Sequence, residues 1–467
     1  MLRALCPVET LYVGQRSRAV LSTALRGRVD AGALSAAFDA VTRAHPSLRT
    51  RIVPDGDGFA LRLLDEAERP RLATRTGTEE DAWATELNTP LPVGGPLSRA
   101  VLVSAPEGEE HLFVLSVDHT ITDGHSSIAL NNEIWDRYRA LVEGEAGPGA
   151  GAADARGASG YSRHAAASSA SGAPEASGAL EASGAPEAAV KEPRWPVPVS
   201  RLLPDADETA TAAYLARRVE ETRAHPVELL PYDVPPGSGE GRIEVCRLTF
   251  DEERTTRLRH SARQAGVSVH ALICAVLLIT ARRRLAGDEP RTLGCLSPVD
   301  LRSRLSPPLS AAVMVPAVTT HRQAVEVGGQ ADPVALARTV HARLSDFVAG
   351  DGPHHETRIT PEIPRHPALQ LATVIATNMG VVAGPRLPDG LQATDVRLAP
   401  AREQYFPQAG RSPVMACVVS FEGRLAIEFP YFTACFSPSF VGALRDEVQD
   451  GLAAFADTAE PAAAPAG

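Results

Sequence analysis

The run His119, Thr120, Ile121, Thr122, Asp123, Gly124 places an imidazole four residues before a carboxylate, with a glycine directly after it. Histidine titrates near neutrality, so one side chain can take a proton from a nucleophile and return it to a leaving group. Transfer of an acyl group to a hydroxyl or an amine needs such a base. Asp123 could fold back across the turn to hold an arginine or the loop itself, and Gly124 allows a backbone geometry that other residues resist. Three other readings compete for these residues. A His/Asp pair could ligate a metal, but a zinc site needs a further ligand in reach, and the chain has no HExxH and no Cys/His cluster. Gly124, His125 and Ser126 imitate the start of a GxSxG elbow, yet Ile128 stands where the closing glycine belongs. Lastly, His119 could be a satisfied histidine at a strand end, with Asp123 capping a helix.

The surrounding elements must position this motif. In EEHLFVLSVDH the residues Phe113, Leu115, Val117 and His119 fall on one side of an alternating strand, so His119 ends that strand on its more apolar face. After Gly124, SSIALNNEIWDRYRALV puts Ile134, Tyr138, Leu141 and Val142 on one helical stripe, with Ser126 or Ser127 as the expected cap. Upstream, Leu34, Phe38 and Val41 are spaced for a helix that Pro46 ends before another strand. In the second half, FDEERTTRLRHSARQAGVSVHALICAVLLITARRRL reads as two helices, the second capped by Ser268 and apolar nearly all round. PVMACVVSFEGRLAIEFPYF reads as two strands joined at Glu422 and Gly423, and FVGALRDEVQDGLAAF as a closing amphipathic helix. Both halves are expected to be sheets layered with helices, an α/β sandwich each.

With 467 residues the chain exceeds the size at which one core stops growing, so two domains are expected. Residues 144–193 collapse to Ala, Gly, Ser, Pro and Glu, with near-repeats of ASGAPEA, and cannot bury enough apolar surface to offset ordering. The expected organisation is therefore 1–143, a low-complexity insert at 144–193, a second subdomain at 194–457 and an Ala/Pro-rich tail at 458–467. A net charge of −11 argues against a nucleic-acid partner. No run of about 18 apolar residues offers a membrane span, and the first residues lack a secretory pattern, so a cytoplasmic monomer is expected. The six cysteines form no CxxC pair and sit mostly in apolar segments, which suits buried reduced thiols. His354 and His355, flanked by Pro and Gly, suit a loop rather than a metal site, and His45 a helix end. Arg282, Arg283 and Arg284 close a helix, where cations complement its dipole, and could also help dock an acidic carrier.

A wider pattern resembles a known family. LRGRVDAGALSAAFDAVTRAHPSLRT, TPLPVGGPLSRAVLV and HLFVLSVDHTITDGHSSIALNNEIWDRY resemble, in order, the N-terminal half of condensation domains and related carrier-dependent acyltransferases. VSVHALICAVLLITARRRL, SPVDLRSRL, ATNMGVV and VVSFEGRLAIEF continue the resemblance through the C-terminal half, so that it covers Glu9 to Phe455 apart from the insert. The look is that of stand-alone polyketide-associated acyltransferases of the phthiocerol dimycocerosyl transferase kind. The family pattern is HHxxxDG, and here Asp118 replaces its first histidine while His119 keeps the catalytic position. The resemblance implies two chloramphenicol-acetyltransferase-like α/β sandwiches forming a V with a central channel, and His119 as general base. It makes Asp123 chiefly structural, paired with Arg302 or, failing that, Arg304, and it points Asn378 at the reacting centre as an orienting or oxyanion donor. It implies an enzyme that moves an acyl group from a thioester on an acyl carrier protein or coenzyme A to a small alcohol or amine, with no metal or other cofactor, in secondary-metabolite or lipid biosynthesis. Its rivals are an amide-forming peptide-synthetase condensation domain and an inactive carrier-docking domain.

Overall fold

A computed structural model describes residues 2–144, 195–235, 237–238, 241–402 and 410–458. The expected insert and tail lie almost wholly outside these residues. The principal strands of the first half are β1 (Ser17–Arg26), β2 (Leu72–Thr76), β3 (Ser98–Ser104) and β4 (Glu110–Asp118). Those of the second half are β5 (Ile243–Phe250), β6 (Arg291–Asp300), β7 (Val318–Val327), β8 (Val374–Val381), β9 (Gln392–Arg402), β10 (Val414–Phe421) and β11 (Arg424–Phe432). Helices precede or follow them as α1 (Pro7–Gln15), α2 (Ala31–Ala44), α3 (Glu79–Asn88), α4 (Gly124–Val142), α5 (Glu208–Ala224), α6 (Glu252–Gln264), α7 (Val269–Arg282), α8 (Pro333–Ala349), α9 (Gly352–Arg358) and α10 (Pro438–Thr458).

Two mixed sheets carry the molecule. The first runs β9-β1-β4-β3-β2, antiparallel except for β3 and β2, and the second runs β7-β6-β8-β10-β11-β5 with β8 parallel to both neighbours. Alternation decides which side chains each face buries. Leu21, Leu25, Phe113 and Leu115 point into a core shared with α2 and α4, while Val20, Ala24, Leu112 and Val114 meet Ala82, Trp83 and Leu87 of α3 on the other side. In the second half, α7 is buried from Ala271 to Arg282 between its sheet and the helices around it, as its all-round apolar sequence requires. Ser268 caps it by accepting from Ala271 N at 3.1 Å. The β10–β11 hairpin turns at Glu422 and Gly423, both with positive φ, the geometry of a two-residue turn that follows sheet twist.

Several expectations are corrected by the fold. The cap of α4 is Asp123 rather than Ser126 or Ser127, and the helix buries Ile134 and Tyr138 but leaves Leu141 and Val142 exposed, because its last turn runs beyond the core. His354 and His355 lie in α9, not a loop, held by Arg304 O at 3.1 Å and Thr211 Oγ1 at 3.1 Å. Arg282 is buried and caps the carbonyls of Leu285, Gly287 and Glu289, which removes it from any carrier-docking surface. Nor do the sheets divide where the low-complexity segment falls: β9, from the second half, crosses to pair with β1 along its length. No single helix among the described residues is long and apolar enough to cross a membrane.

Candidate active site

His119 is the first residue beyond β4, and its N–H donates to Ser17 O of β1 at 2.8 Å, which extends the ladder by one rung. The turn after it is closed by Thr120 N on Asp118 Oδ1 at 2.9 Å and Ile121 N on Asp118 O at 3.1 Å. That is the local use of the aspartate standing where the family has its first histidine. Tyr12 of α1 lies flat on the His119 ring, with centroids 4.1 Å apart and planes 10° apart. Among the described residues Nδ1 of His119 is buried without a partner at good hydrogen-bonding geometry, which leaves Nε2 as the nitrogen a reactant can reach. Burial pulls the imidazole down to about 4. The Asp123 carboxylate opposes that shift, the Arg402 guanidinium adds to it, and the carbonyls of His119 and Thr122 weakly oppose it. By surface area the residue is half-buried. The ring is neutral near pH 7, as a base must be.

Asp123 faces away from proton transfer. Its Oδ1 accepts from Ser126 N at 2.8 Å and Ser126 Oγ at 3.0 Å, capping α4. Its Oδ2 accepts from Arg302 Nη2 at 2.8 Å and from Ala317 N at 2.9 Å. Arg302 in turn donates to the carbonyls of Ser310, Val313 and Val315. Both members of the pair are buried, with side chains 5% exposed, so four donors on one carboxylate compensate its desolvation. The cap and the arginine pair, alternatives at the level of sequence, coexist on two oxygens of one side chain. Arg304 instead contacts Asp300 O and Ser303 Oγ.

Gly124 has no positive φ, so the conformational reason expected for it fails. Its reason is space: a Cβ there would stand 2.3 Å from Met379 Sδ and 3.3 Å from Leu398 Cδ2. The start of α4 is thus pressed against β8 and β9. Asn378, next to Met379, accepts from Gly380 N at 2.8 Å and holds the irregularity by which β8 shifts register on β10. Its oxygen is therefore committed to the backbone, and only its N–H2 end can act as a donor.

Three residues at this site escaped sequence reasoning: Tyr12, Ser17 and Arg402. Arg402 pairs with Ser17 across β9 and β1, and Ser17 O holds His119 N, so the three form one row across three strands. Even an exact forecast of each strand would leave that row invisible, since β9 enters the first sheet from nearly 400 residues along the chain. Beyond Arg402 a small apolar recess with a volume of about 30 Å³ opens between the sheets, lined by Ile243, Ile375, Pro400, Met415 and Tyr431 among others.

Known proteins are similar to this chain along most of its length. Residues 16–154 match the family model "Condensation domain", and residues 239–430 match the "Phthiocerol/phthiodiolone dimycocerosyl transferase C-terminus". The phthiocerol/phthiodiolone dimycocerosyl transferase of Mycobacterium leprae is 25% identical over 453 residues, with 92% of each chain covered. Among solved structures, polyketide synthase associated protein 5 from Mycobacterium tuberculosis superposes with a TM-score of 0.68 at 20% identity, covering 98% of both chains. The trichothecene 15-O-acetyltransferase from Fusarium sporotrichioides gives 0.68 at 11% identity, covering 97% of this chain and 95% of that one. The two layered α/β sheets share the fold of these solved structures. The two matching models fall in tandem along the sequence, so the chain is similar to condensation domains in its first half and to phthiocerol/phthiodiolone dimycocerosyl transferases in its second.

Proposed function

We propose that the protein transfers an acyl group from a thioester, carried on phosphopantetheine or coenzyme A, to a hydroxyl or amine, with His119 as general base. The observation that carries this reading is the neutral imidazole of His119, stacked on Tyr12 and held by a loop whose own carboxylate is fully engaged elsewhere. Nε2 takes the proton of the acceptor as its oxygen or nitrogen attacks the thioester carbonyl. The tetrahedral intermediate then expels the thiolate, to which the imidazolium returns the proton, leaving an ester or amide and a free thiol. A base so placed contributes about 10² to 10⁴ in rate, the remainder coming from orientation and oxyanion stabilisation, for which the Asn378 amide is a candidate donor. The likeness to mycobacterial dimycocerosyl transferases favours long acyl donors and lipid or polyketide alcohols as acceptors. A mass-spectrometric screen of acyl thioesters against alcohols and amines tests the reading: a new ester or amide with matching thiol release is expected, and absence of thioester consumption with every pair would overturn it.

A further inference from the structure

We infer that Tyr12 is the positioning residue of the reaction proposed above: its ring, laid flat on the imidazole of His119, fixes the orientation that a hydrogen bond on the second ring nitrogen gives most catalytic histidines. This role rests on that functional reading and adds a residue that acts through the base.

A histidine ring turns easily about its last torsion, whose preference is broad and two-fold. When the ring serves as a base, a carboxylate or carbonyl on its far nitrogen usually stops that turning and chooses the tautomer. The carboxylate that acts on His119 is already spent, because Asp123 gives one oxygen to Ser126 N and the other to Arg302 and Ala317 N. Nδ1 of His119 has no well-placed partner among the described residues, and the carbonyls of His119 and Thr122 are the weakest of the influences on the ring. What lies against the imidazole instead is the Tyr12 phenol, with centroids 4.1 Å apart and planes 10° apart. Turning about the torsion would drive a ring edge into the phenol face. The contact therefore holds the imidazole in one plane and keeps Nε2 aimed.

The phenol is itself held from both ends of its helix. Glu9 closes the first turn of α1 on Cys6 N at 2.8 Å and accepts from Arg3 Nη2 at 2.6 Å, both charges being buried, and Arg3 Nε reaches Pro196 O at 3.1 Å. At the other end the helix stops at Arg16, whose φ of 45° is uncommon for a residue with a side chain and turns the chain into β1. Ser17 follows at once, and its carbonyl holds His119 N at 2.8 Å. Residues 12–17 therefore grip His119 twice, ring on ring and main chain on main chain. Burial pushes the Tyr12 hydroxyl up to about 12, so the phenol offers a flat, uncharged face at neutral pH. That face also withholds water from the imidazole and adds to the desolvation that keeps it neutral.

The test uses the full chain, with the N-acetylcysteamine thioester of octanoic acid as donor and 1-octanol as acceptor. Tyr12→Leu should lower kcat roughly tenfold with KM changed by about twofold or less, because orientation is lost and binding is not. Tyr12→Phe keeps the flat face and should stay within about threefold of the wild type. With one face of the imidazole opened to water, the midpoint of His119 protonation, read by NMR of its ring protons, should rise from about 4 towards 6.5 in Tyr12→Leu and hold in Tyr12→Phe. Asp123 and Arg402, which also bear on the ring, are unchanged in both variants. A kcat unaltered in Tyr12→Leu, or an equal loss in the two variants, would overturn the inference. If the wild type transfers nothing from this donor, the protonation midpoint decides alone: a rise confined to Tyr12→Leu supports the role of the ring, and no difference between the variants overturns it. A failure of the functional reading is thereby seen apart from a failure of the inference. Should Tyr12→Leu not fold, the wild type still reports: His119 ring protons moved upfield by the ring current of the phenol support the contact, and ordinary shifts overturn it.

Discussion

At the scale of single residues, burial rather than charge sets the behaviour of the histidines. His119, His270 and His321 are each drawn from 6.5 to about 4, chiefly by desolvation. Arg218, Arg343 and His270 push further on His321. The folded protein therefore binds fewer protons than the unfolded chain between these values, so stability is fully present above about pH 6.5 and falls as pH drops towards 4. After allowance for their partial exposure the loss should be of the order of a few kcal/mol, read as a falling denaturant midpoint across that window. A midpoint flat from pH 7 to 4.5 would mean these rings accept protons within the fold. The same sign applies to turnover: activity, measured briefly enough to precede unfolding, should persist below pH 6 and fade as pH approaches 4. The base and its motif were legible in HTITDG because histidine, aspartate and glycine sit within six residues. Tyr12 and Arg402 were not, since each reaches His119 only through tertiary structure.

At the scale of elements, the motif loop is a junction of α4 with β8, β9 and the segment after β6. Asp123 caps α4 with one oxygen and binds Arg302 and Ala317 N with the other. Breaking a buried pair from one side leaves an uncompensated charge, so Asp123→Ala and Arg302→Ala should each cost about 3 to 5 kcal/mol. Asp123→Ala should cost more, by roughly 1 kcal/mol, for the lost cap. The double variant should lose less than the sum of the singles in chemical denaturation, and strict additivity would show that the two side chains do not depend on each other. Gly124→Ala should cost about 1 to 3 kcal/mol by overpacking against Met379, and Met379→Ala in the same chain should recover part of it. Failure of that rescue in thermal melts would return Gly124 to a conformational role. Helices α2, α6 and α7 and the last hairpin were readable because each buries a face written with a regular period. The last turn of α4 kept an apolar pattern past the edge of the core, and α9 was concealed by its flanking Pro and Gly.

At the scale of the whole molecule, β9 ties the halves together, and charge fastens it. Glu428 of β11, 2% exposed, accepts from Arg397 of β9 at 2.9 and 2.8 Å and lies 3.0 Å from Arg247, which also pairs with Asp395 of β9. Glu428→Ala leaves two cations facing each other across this seam and should lower stability by about 3 to 5 kcal/mol, with a matching drop in melting temperature. A melting temperature within a degree of the wild type would show that the seam is held by packing alone. Nothing in the order of elements along the chain announces this crossover, because β9 is encoded between β8 and β10, both strands of the other sheet. The central claim, that this junction exists to present one neutral imidazole, is tested most directly by comparing wild type and His119→Ala in single-turnover acyl transfer alongside their melting temperatures. The account predicts a rate lower by roughly 10² or more at an unchanged or higher melting temperature, since Nδ1 of His119 is buried without a well-placed partner among the described residues and removing the ring relieves that burial. Near-normal transfer by a folded His119→Ala would contradict it.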